Sequence, residues 1–323
     1  MNISDIVNKY RCIAITGLAK NTGKTSVLNA ILSDDSDKIR GITSIGYDGE
    51  DIDQVTNTEK PVIYVKKGTF LATADGLLSR CDFTKELLKY AGFNTPMGEV
   101  IIVRALSDGY AQIAGPSTRS QMEQTVQYLL EAGAQQIFID GAASRKSTAA
   151  ITFSDACILA TGAAFSHNIE EIAEETILFS KFLTLPKASP ELLKKSKQVN
   201  SIDTNSVDSI LSDLNANNSI FFEGAVSTNL LKQLLNAKKT ATELNLIAED
   251  GTRFLTDSAT LSQIESKGIA LYIKNPINLI AITINPKSPD GTTVNSHQLC
   301  QVLSAQIPKV PILDVKNYEF GKN

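Results

Sequence analysis

Short apolar runs alternate along the chain with longer segments whose apolar residues recur at helical spacing. In the first half, strands are predicted at residues 13–16, 42–45, 61–65, 99–103, 136–139 and 156–160. Helices are predicted at residues 119–132 and 169–180. Strands that alternate with helices are typical of a mainly parallel sheet covered by helices. The pattern therefore predicts the α/β fold class.

The second half repeats this pattern after a polar interval. Residues 187–218 are rich in Lys, Ser, Asp and Asn, which predicts a polar helical connector. Strands follow at residues 220–222, 244–248, 269–273, 279–284 and 312–315. We therefore expect a first domain at 1–186, a connector at 187–218, and a second, smaller α/β unit at 219–323 that either docks on the first or shares its sheet.

The first strand leads through a glycine-bounded loop into a helix, which is typical of a phosphate-binding loop. Its candidate ligand-binding residues are Gly17, Lys20, Asn21, Thr22, Gly23, Lys24, Thr25 and Ser26. Backbone N–H groups and a helix N-terminus would converge on a phosphate, Lys24 would supply charge, and Thr25 a hydroxyl for Mg²⁺. The loop predicts a P-loop NTPase domain at 1–186 that binds ATP or GTP with Mg²⁺. The alternative is an ordinary turn in which Thr25 caps a helix.

The spacing of this loop departs from the common pattern. Five residues separate Gly17 from Gly23, whereas the common pattern has four, so Leu18 stands where the first glycine is usual. The segment from Lys20 to Thr25 resembles the branch of P-loop proteins that contains dethiobiotin synthetase and NTPases of metal-enzyme and cofactor-enzyme maturation. That branch contains small-molecule ligases and helpers of cofactor enzymes.

Carboxylates at two other strand ends are candidates for metal and water positioning. Asp140 follows the predicted strand at 136–139, where a P-loop enzyme needs a carboxylate for Mg²⁺. Asp48 and Glu50 lie in an acidic segment after the second strand, and in the related branch this segment positions water beside the γ-phosphate. Asp48 is the first choice, as a catalytic residue and metal ligand, and Glu50 the second. A solvated strand end at Asp140 and a plain acidic surface loop are the alternatives.

Composition excludes several other function classes. The net charge of -4, with dispersed lysines, disfavours nucleic-acid binding. The four cysteines are far apart and form no Cys-x-x-Cys pair, and the two histidines have no ligand-spaced neighbour, so a zinc site is improbable. No secretory signal core or run near ~18 apolar residues occurs, so we expect a cytoplasmic protein without membrane contact. The absence of a guanine-recognition segment ending in aspartate favours ATP over GTP.

Segments spread over nearly the whole chain resemble one bacterial family, the P-loop subunit of lysine 5,6-aminomutase reactivase. The resemblance is carried by residues 17–26, 43–50, 60–61, 114–116, 140–142 with Arg145, and 285–289. It implies an auxiliary protein of amino-acid fermentation that works with a second ATPase subunit. Such a protein would couple ATP binding and hydrolysis to the release of damaged cobalamin from an adenosylcobalamin-dependent aminomutase.

Three functions therefore stay open at the level of sequence. The first is this NTP-driven reactivating or maturation factor, whose partners would be the second ATPase subunit and the aminomutase. The second is an ATP-dependent small-molecule ligase of the dethiobiotin synthetase type. The third is a nucleotide-binding scaffold that does not hydrolyse its ligand. We favour the first, because the chain offers no evident motif for a second substrate.

Overall fold

The chain folds into two compact units, each defined by the contacts within it. The computed structural model describes residues 2–34, 36–45, 62–143, 154–200, 218–237 and 244–314. The first unit comprises Met1–Ala173 together with Leu279–Asn323, and the second comprises Glu174–Asn278.

The secondary structure confirms an α/β chain. The described helices are α1 (Ile3–Val7), α2 (Lys24–Ser33), α3 (Arg119–Ala132), α4 (Ile169–Leu183), α5 (Pro190–Lys195), α6 (Thr228–Ala237), α7 (Ser258–Ser266) and α8 (Ser296–Gln306), with 3-10 turns at Asp75–Arg80 and Gly251–Arg253. The described strands are β1 (Cys12–Gly17), β2 (Arg40–Ser44), β3 (Ile63–Val65), β4 (Phe70–Ala74), β5 (Lys85–Thr95), β6 (Gly98–Ala105), β7 (Gly109–Ala111), β8 (Gln136–Ala143), β9 (Ala156–Gly162), β10 (Lys197–Val199), β11 (Ser219–Phe222), β12 (Val226–Ser227), β13 (Leu244–Ala248), β14 (Phe254–Leu255), β15 (Ile269–Ile273), β16 (Leu279–Asn285) and β17 (Ile312–Asp314).

The first unit is built on a nine-stranded sheet with the strand order β17-β16-β9-β1-β8-β2-β4-β6-β5. Every pair from β17 to β4 is parallel, and only the β4–β6 and β6–β5 pairs are antiparallel. Strand β1 lies between β8 on one side and β9 on the other, so later strands are added on both sides of it and the strand order reverses there. Such a switch point opens a crevice at the carboxyl ends of the strands, where α/β proteins bind ligands.

The central strands are apolar because both faces of the sheet are covered. All six residues of β1 and all seven of β9 are buried, which explains their near-continuous apolar sequences. Ile13, Ile15 and Phe138 join Leu28 and Ile31 of α2 in one core cluster. The burial of α2 against the sheet fixes the start of this helix beside the end of β1.

The second unit contains a four-stranded parallel sheet with the order β10-β11-β13-β15. Its core includes Phe182 of α4, which stacks on Phe254 at a ring-centroid distance of 5.6 Å. Because this order follows the chain without reversal, the described sheet has no switch point of the kind that opens a ligand crevice.

The observed division differs from the boundaries expected at residues 186 and 219. Strands β16 and β17 pair in parallel with each other, and β16 pairs with β9 of the first sheet. The last part of the segment expected as a second unit therefore completes the first, and the described part of the expected connector contributes β10 to the second sheet. An apolar sequence indicates that a strand is buried, but it does not indicate which strand it pairs with. The sequence alone therefore could not assign β16 and β17 to a sheet.

None of the helices in the described residues is both long enough and apolar enough to span a membrane.

Candidate functional site

The loop between β1 and α2 is folded tightly on itself. Thr22 Oγ1 donates to the Ala19 carbonyl at 3.0 Å. A Cβ on Gly17 would lie 2.4 Å from that hydroxyl oxygen and 3.2 Å from Lys24 Nζ. Only glycine leaves room for this turn at the end of the strand, so the unusual placement of Gly17 has a steric reason.

The N-terminus of α2 differs from a side-chain-capped helix. Its N-cap is Gly23, with φ of 93°, and no side chain there accepts a hydrogen bond from the first turn. In α3 and α8, by contrast, Thr118 and Asn295 accept from the backbone N–H of the third residue beyond them. The first N–H groups of a helix have no partner within it. At α2 they are directed toward the loop, as an anion site requires.

The side chain of Thr25 does not cap α2. Its hydroxyl donates to Asp140 Oδ2 at 3.1 Å, across the gap between the helix and β8. The structure therefore does not show the alternative in which Thr25 caps a helix at an ordinary turn. Thr25 and Asp140 instead place two oxygen atoms side by side, which is the ligand type that Mg²⁺ prefers.

Lys24 lies half-buried inside the loop. Its Nζ donates to the Ala19 carbonyl at 3.2 Å. Burial lowers the pKa of Lys24, nearby Asp140 opposes this shift, and the positive charge of Lys20 adds to it. The site therefore disfavours the lysine cation when no anion is bound, and a phosphate group would supply the missing negative charge.

Asp140 is a buried carboxylate within β8, which continues three residues past it, and 8% of its surface is exposed. The pKa of Asp140 is raised by burial, against the lowering effects of Lys24, the Thr25 hydroxyl and the Gly141 N–H. That N–H donates to Asp140 Oδ1 at 2.7 Å. A divalent cation would favour the ionised carboxylate, so the donor set of Asp140 and Thr25 fits Mg²⁺. Asp140 is therefore not the solvated carboxylate that the sequence left open as an alternative, because it is buried and accepts hydrogen bonds from Thr25 and Gly141.

The end of β16 borders the same loop, which the sequence did not indicate. A Cβ on Gly23 would lie 2.9 Å from the Cβ of Asn285, and one on Gly162 would lie 1.9 Å from the Asn285 carbonyl oxygen. The Ala163 N–H donates to that oxygen at 3.0 Å. In the sequence, Asn285 was only the first residue of the segment 285–289 that carries the family resemblance, and its position beside the loop follows from the pairing of β16 with β9.

The hydroxyls at the end of β2 have structural partners. Thr43 donates to the Ala72 carbonyl at 3.2 Å, and Ser44 donates to the Ile113 carbonyl at 3.2 Å. Both hydroxyls hold neighbouring chain segments in place. The sheet brings together the predicted residues Gly17 to Ser26 and Asp140, whereas the predicted Asp48, Glu50 and Arg145 lie outside the described residues.

Neither cysteine clusters nor histidine clusters form a second site in the described part of the chain. No group of three or more His, Cys, Asp and Glu side chains there is arranged to hold a metal ion. Burial raises the pKa of both Cys12 and Cys157 to about 12, as expected for small core side chains rather than ligands or nucleophiles. His167 is half-exposed and pairs with Asp290 at 3.1 Å.

No protein-family model, curated protein or solved structure matches this chain.

Proposed function

We propose that the first unit is a P-loop NTPase domain that binds a nucleoside triphosphate with Mg²⁺ at the loop from Gly17 to Ser26. The observation that carries this proposal is the 3.1 Å hydrogen bond between the Thr25 hydroxyl and Asp140, beside the uncapped start of α2. The uncapped start of α2, the half-buried Lys24 and the adjacent oxygen atoms of Thr25 and Asp140 lie together at a switch point of the sheet, where α/β proteins bind ligands. We favour ATP over GTP.

Every residue has one role in this proposal except Asp48, which would both contribute to the metal site and orient water. The backbone of the loop and the N-terminus of α2 would hold the phosphate chain, and Lys24 would neutralise charge on the β- and γ-phosphates. Thr25 and Asp140 would hold Mg²⁺, which neutralises charge that develops on the phosphate oxygens when bound. Asp48, or Glu50 in its place, would orient the attacking water.

Hydrolysis at this site would serve a partner enzyme. The resemblance of the chain to the reactivase subunit supports a reactivating or maturation factor for an adenosylcobalamin-dependent aminomutase, working with a second ATPase subunit. The described sheet of the second unit, with no switch point, supports a single nucleotide site per chain. A ligase of the dethiobiotin synthetase type is the alternative, and it differs in needing a metabolite instead of a protein partner.

The deciding experiment measures phosphate release from ATP and from GTP, with the chain alone, with candidate protein partners, and with carboxylate metabolites. We expect slow release alone, which rises when the second ATPase subunit and the aminomutase are added. Stimulation by a metabolite alone would favour the ligase, and tight binding with no release under any condition would favour a scaffold.

Lys24→Ala provides the matching test of the site. The control is Lys66→Ala, because Lys66 donates to the Ser33 carbonyl at the opposite end of the same helix, at 2.8 Å. We expect Lys24→Ala to lower nucleotide affinity by at least about tenfold and to abolish hydrolysis, since it removes the charge that faces the phosphates. Lys66→Ala should retain both. Equal activity of the two variants would contradict the proposed site.

A further inference from the structure

Strand β5 forms one edge of the nine-stranded sheet and pairs only with β6 in the described residues. Three of its large apolar side chains are exposed: Leu87 at 46%, Leu88 at 41% and Tyr90 at 56%. An edge strand presents a row of backbone groups that can pair with another strand. Long exposed apolar edges are therefore sites of strand addition unless another feature prevents it.

The register of β5 on β6 shifts in two places, between Leu87 and Lys89 and between Tyr90 and Asn94, and the first shift is a bulge that changes which side chains share a face. Glu86 lies opposite Arg104 and Lys89 lies opposite Ile102, with Leu88 as the extra residue between them. Arg104 and Ile102 are two positions apart on β6, so they share one face, and Glu86 and Lys89 share it too. In a regular strand, residues three positions apart would lie on opposite faces.

This arrangement makes the strand complementary to a copy of itself. If two β5 strands lie antiparallel about a two-fold axis between Leu87 and Leu88, each Glu86 stands opposite Lys89 of the second copy on the same face. Each Leu87 then stands opposite Leu88 of the second copy. Opposite charges and apolar pairs that face each other across strands are stabilising. A two-fold interface repeats each contact twice.

We propose that β5 is a self-association edge through which two copies of this chain join their sheets. The charges also select the register. A shift by one residue in either direction removes Glu86 from its position opposite Lys89 of the second copy. Inside the chain, Glu131 holds the Lys89 ammonium at 3.6 Å, over the ring of Tyr128, on the face that Glu86 of a second copy would meet.

The interface is short, so we expect a reversible dimer that depends on protein concentration. Sedimentation equilibrium of the full chain over a wide concentration range should show the mass rise from 34.9 kDa toward twice that value. Glu86→Lys and Lys89→Glu should each weaken the dimer roughly tenfold or more, because two attractive pairs become repulsive. The double variant Glu86→Lys with Lys89→Glu, made in a Glu131→Lys background so that residue 89 keeps an opposite charge beside it within the chain, should restore it.

The double variant separates this interface from general effects of charge. Glu123→Lys serves as the control, since it reverses an exposed charge of α3 that pairs with Arg119 at 2.8 Å. It should dimerise as the parent does, and circular dichroism should show every variant folded. A parent protein that stays monomeric at all concentrations overturns the proposal. So do single reversals that dimerise normally, and so does a folded double variant that stays monomeric.

Discussion

Asp140→Asn should make the ligand-free protein more stable while it weakens the response to magnesium nucleotide. Asparagine keeps the shape of the carboxylate and can still accept from the Gly141 N–H, but it carries no charge. Because burial raises the pKa of Asp140, the folded state disfavours the ionised form of this carboxyl group relative to the unfolded state. We therefore expect a higher Tm for the ligand-free variant than for the parent at pH 7.

The pH dependence of this gain follows from the direction of the pKa shift. A carboxyl group whose pKa is raised on folding binds its proton more tightly in the folded state. Its stabilising contribution is complete below the unfolded pKa and is lost as pH rises through the folded pKa. The variant should therefore gain over the parent as pH rises through that range, and the difference should vanish under acidic conditions where Asp140 is protonated in both states.

The size of the ligand effect follows from binding linkage. At a hundredfold excess over Kd, magnesium ATP would stabilise the parent by about 2.7 kcal/mol, which would raise the Tm of a domain of roughly 150–250 residues by about 5–11 °C. Loss of a metal partner weakens affinity at least about tenfold, leaving about 1.4 kcal/mol and about 3–6 °C. Differential scanning fluorimetry, with magnesium ATP and with ATP plus a chelator, measures both values.

The matched control is Asp155→Asn, the same chemical change at the amino-terminal end of the central strand β9, away from the candidate site. Asp155 precedes β9 and accepts from the backbone N–H groups of Arg11 and Cys12 at 3.1 and 2.9 Å. Its replacement should leave the magnesium-dependent shift intact. If Asp140→Asn shows the full parental shift, or if the parent shift is unchanged by the chelator, then Asp140 does not hold the metal.

Two further predictions concern the loop and the core. Gly17→Ala should weaken nucleotide binding at least about tenfold, because its Cβ would lie 2.4 Å from a threonine hydroxyl inside the loop. Gly68→Ala has open space around its Cβ but a φ of 89°, so it should lose some stability and still bind as the parent does in isothermal titration. Cys12 and Cys157, whose pKa values burial raises to about 12, should not react with a thiol reagent at pH 8 until the protein is unfolded, whereas half-buried Cys300 should react first. Rapid modification of either buried thiol in the folded protein would contradict their placement in the core.

The central strands and the site loop were predictable because a buried strand requires apolar residues and the tight loop requires glycine. The apolar run before Gly17 gave β1, and the run before Asp140 gave β8. Strand β5 left no such mark, since an edge strand with exposed Leu87, Lys89 and Tyr90 has no alternating buried face. Strand β4, Phe70–Ala74, is buried but contains mostly small residues, which carry a weak strand signal.

The features of the site that the sequence could not predict are contacts between residues far apart in the chain. Asp140 was predicted as a strand-end carboxylate, but only the parallel β1–β8 pairing brings it to Thr25, which is 115 positions away. Asn285 reaches the loop only because β16 pairs with β9. Spacing along a chain indicates which residue ends a strand, whereas strand order decides which ends meet.

The electrostatics of the site explain why its two charged groups should be coupled to the ligand. Lys24 and Asp140 attract each other, yet burial shifts the pKa of each toward its neutral form, so their mutual attraction does not offset the loss of hydration. A purely structural pair in this position would gain from replacement by neutral side chains. A triphosphate with Mg²⁺ brings a negative charge to Lys24 and a positive charge to Asp140, and so relieves both penalties together. Binding of the nucleotide and of the metal should therefore be cooperative, and either alone should bind more weakly than the pair.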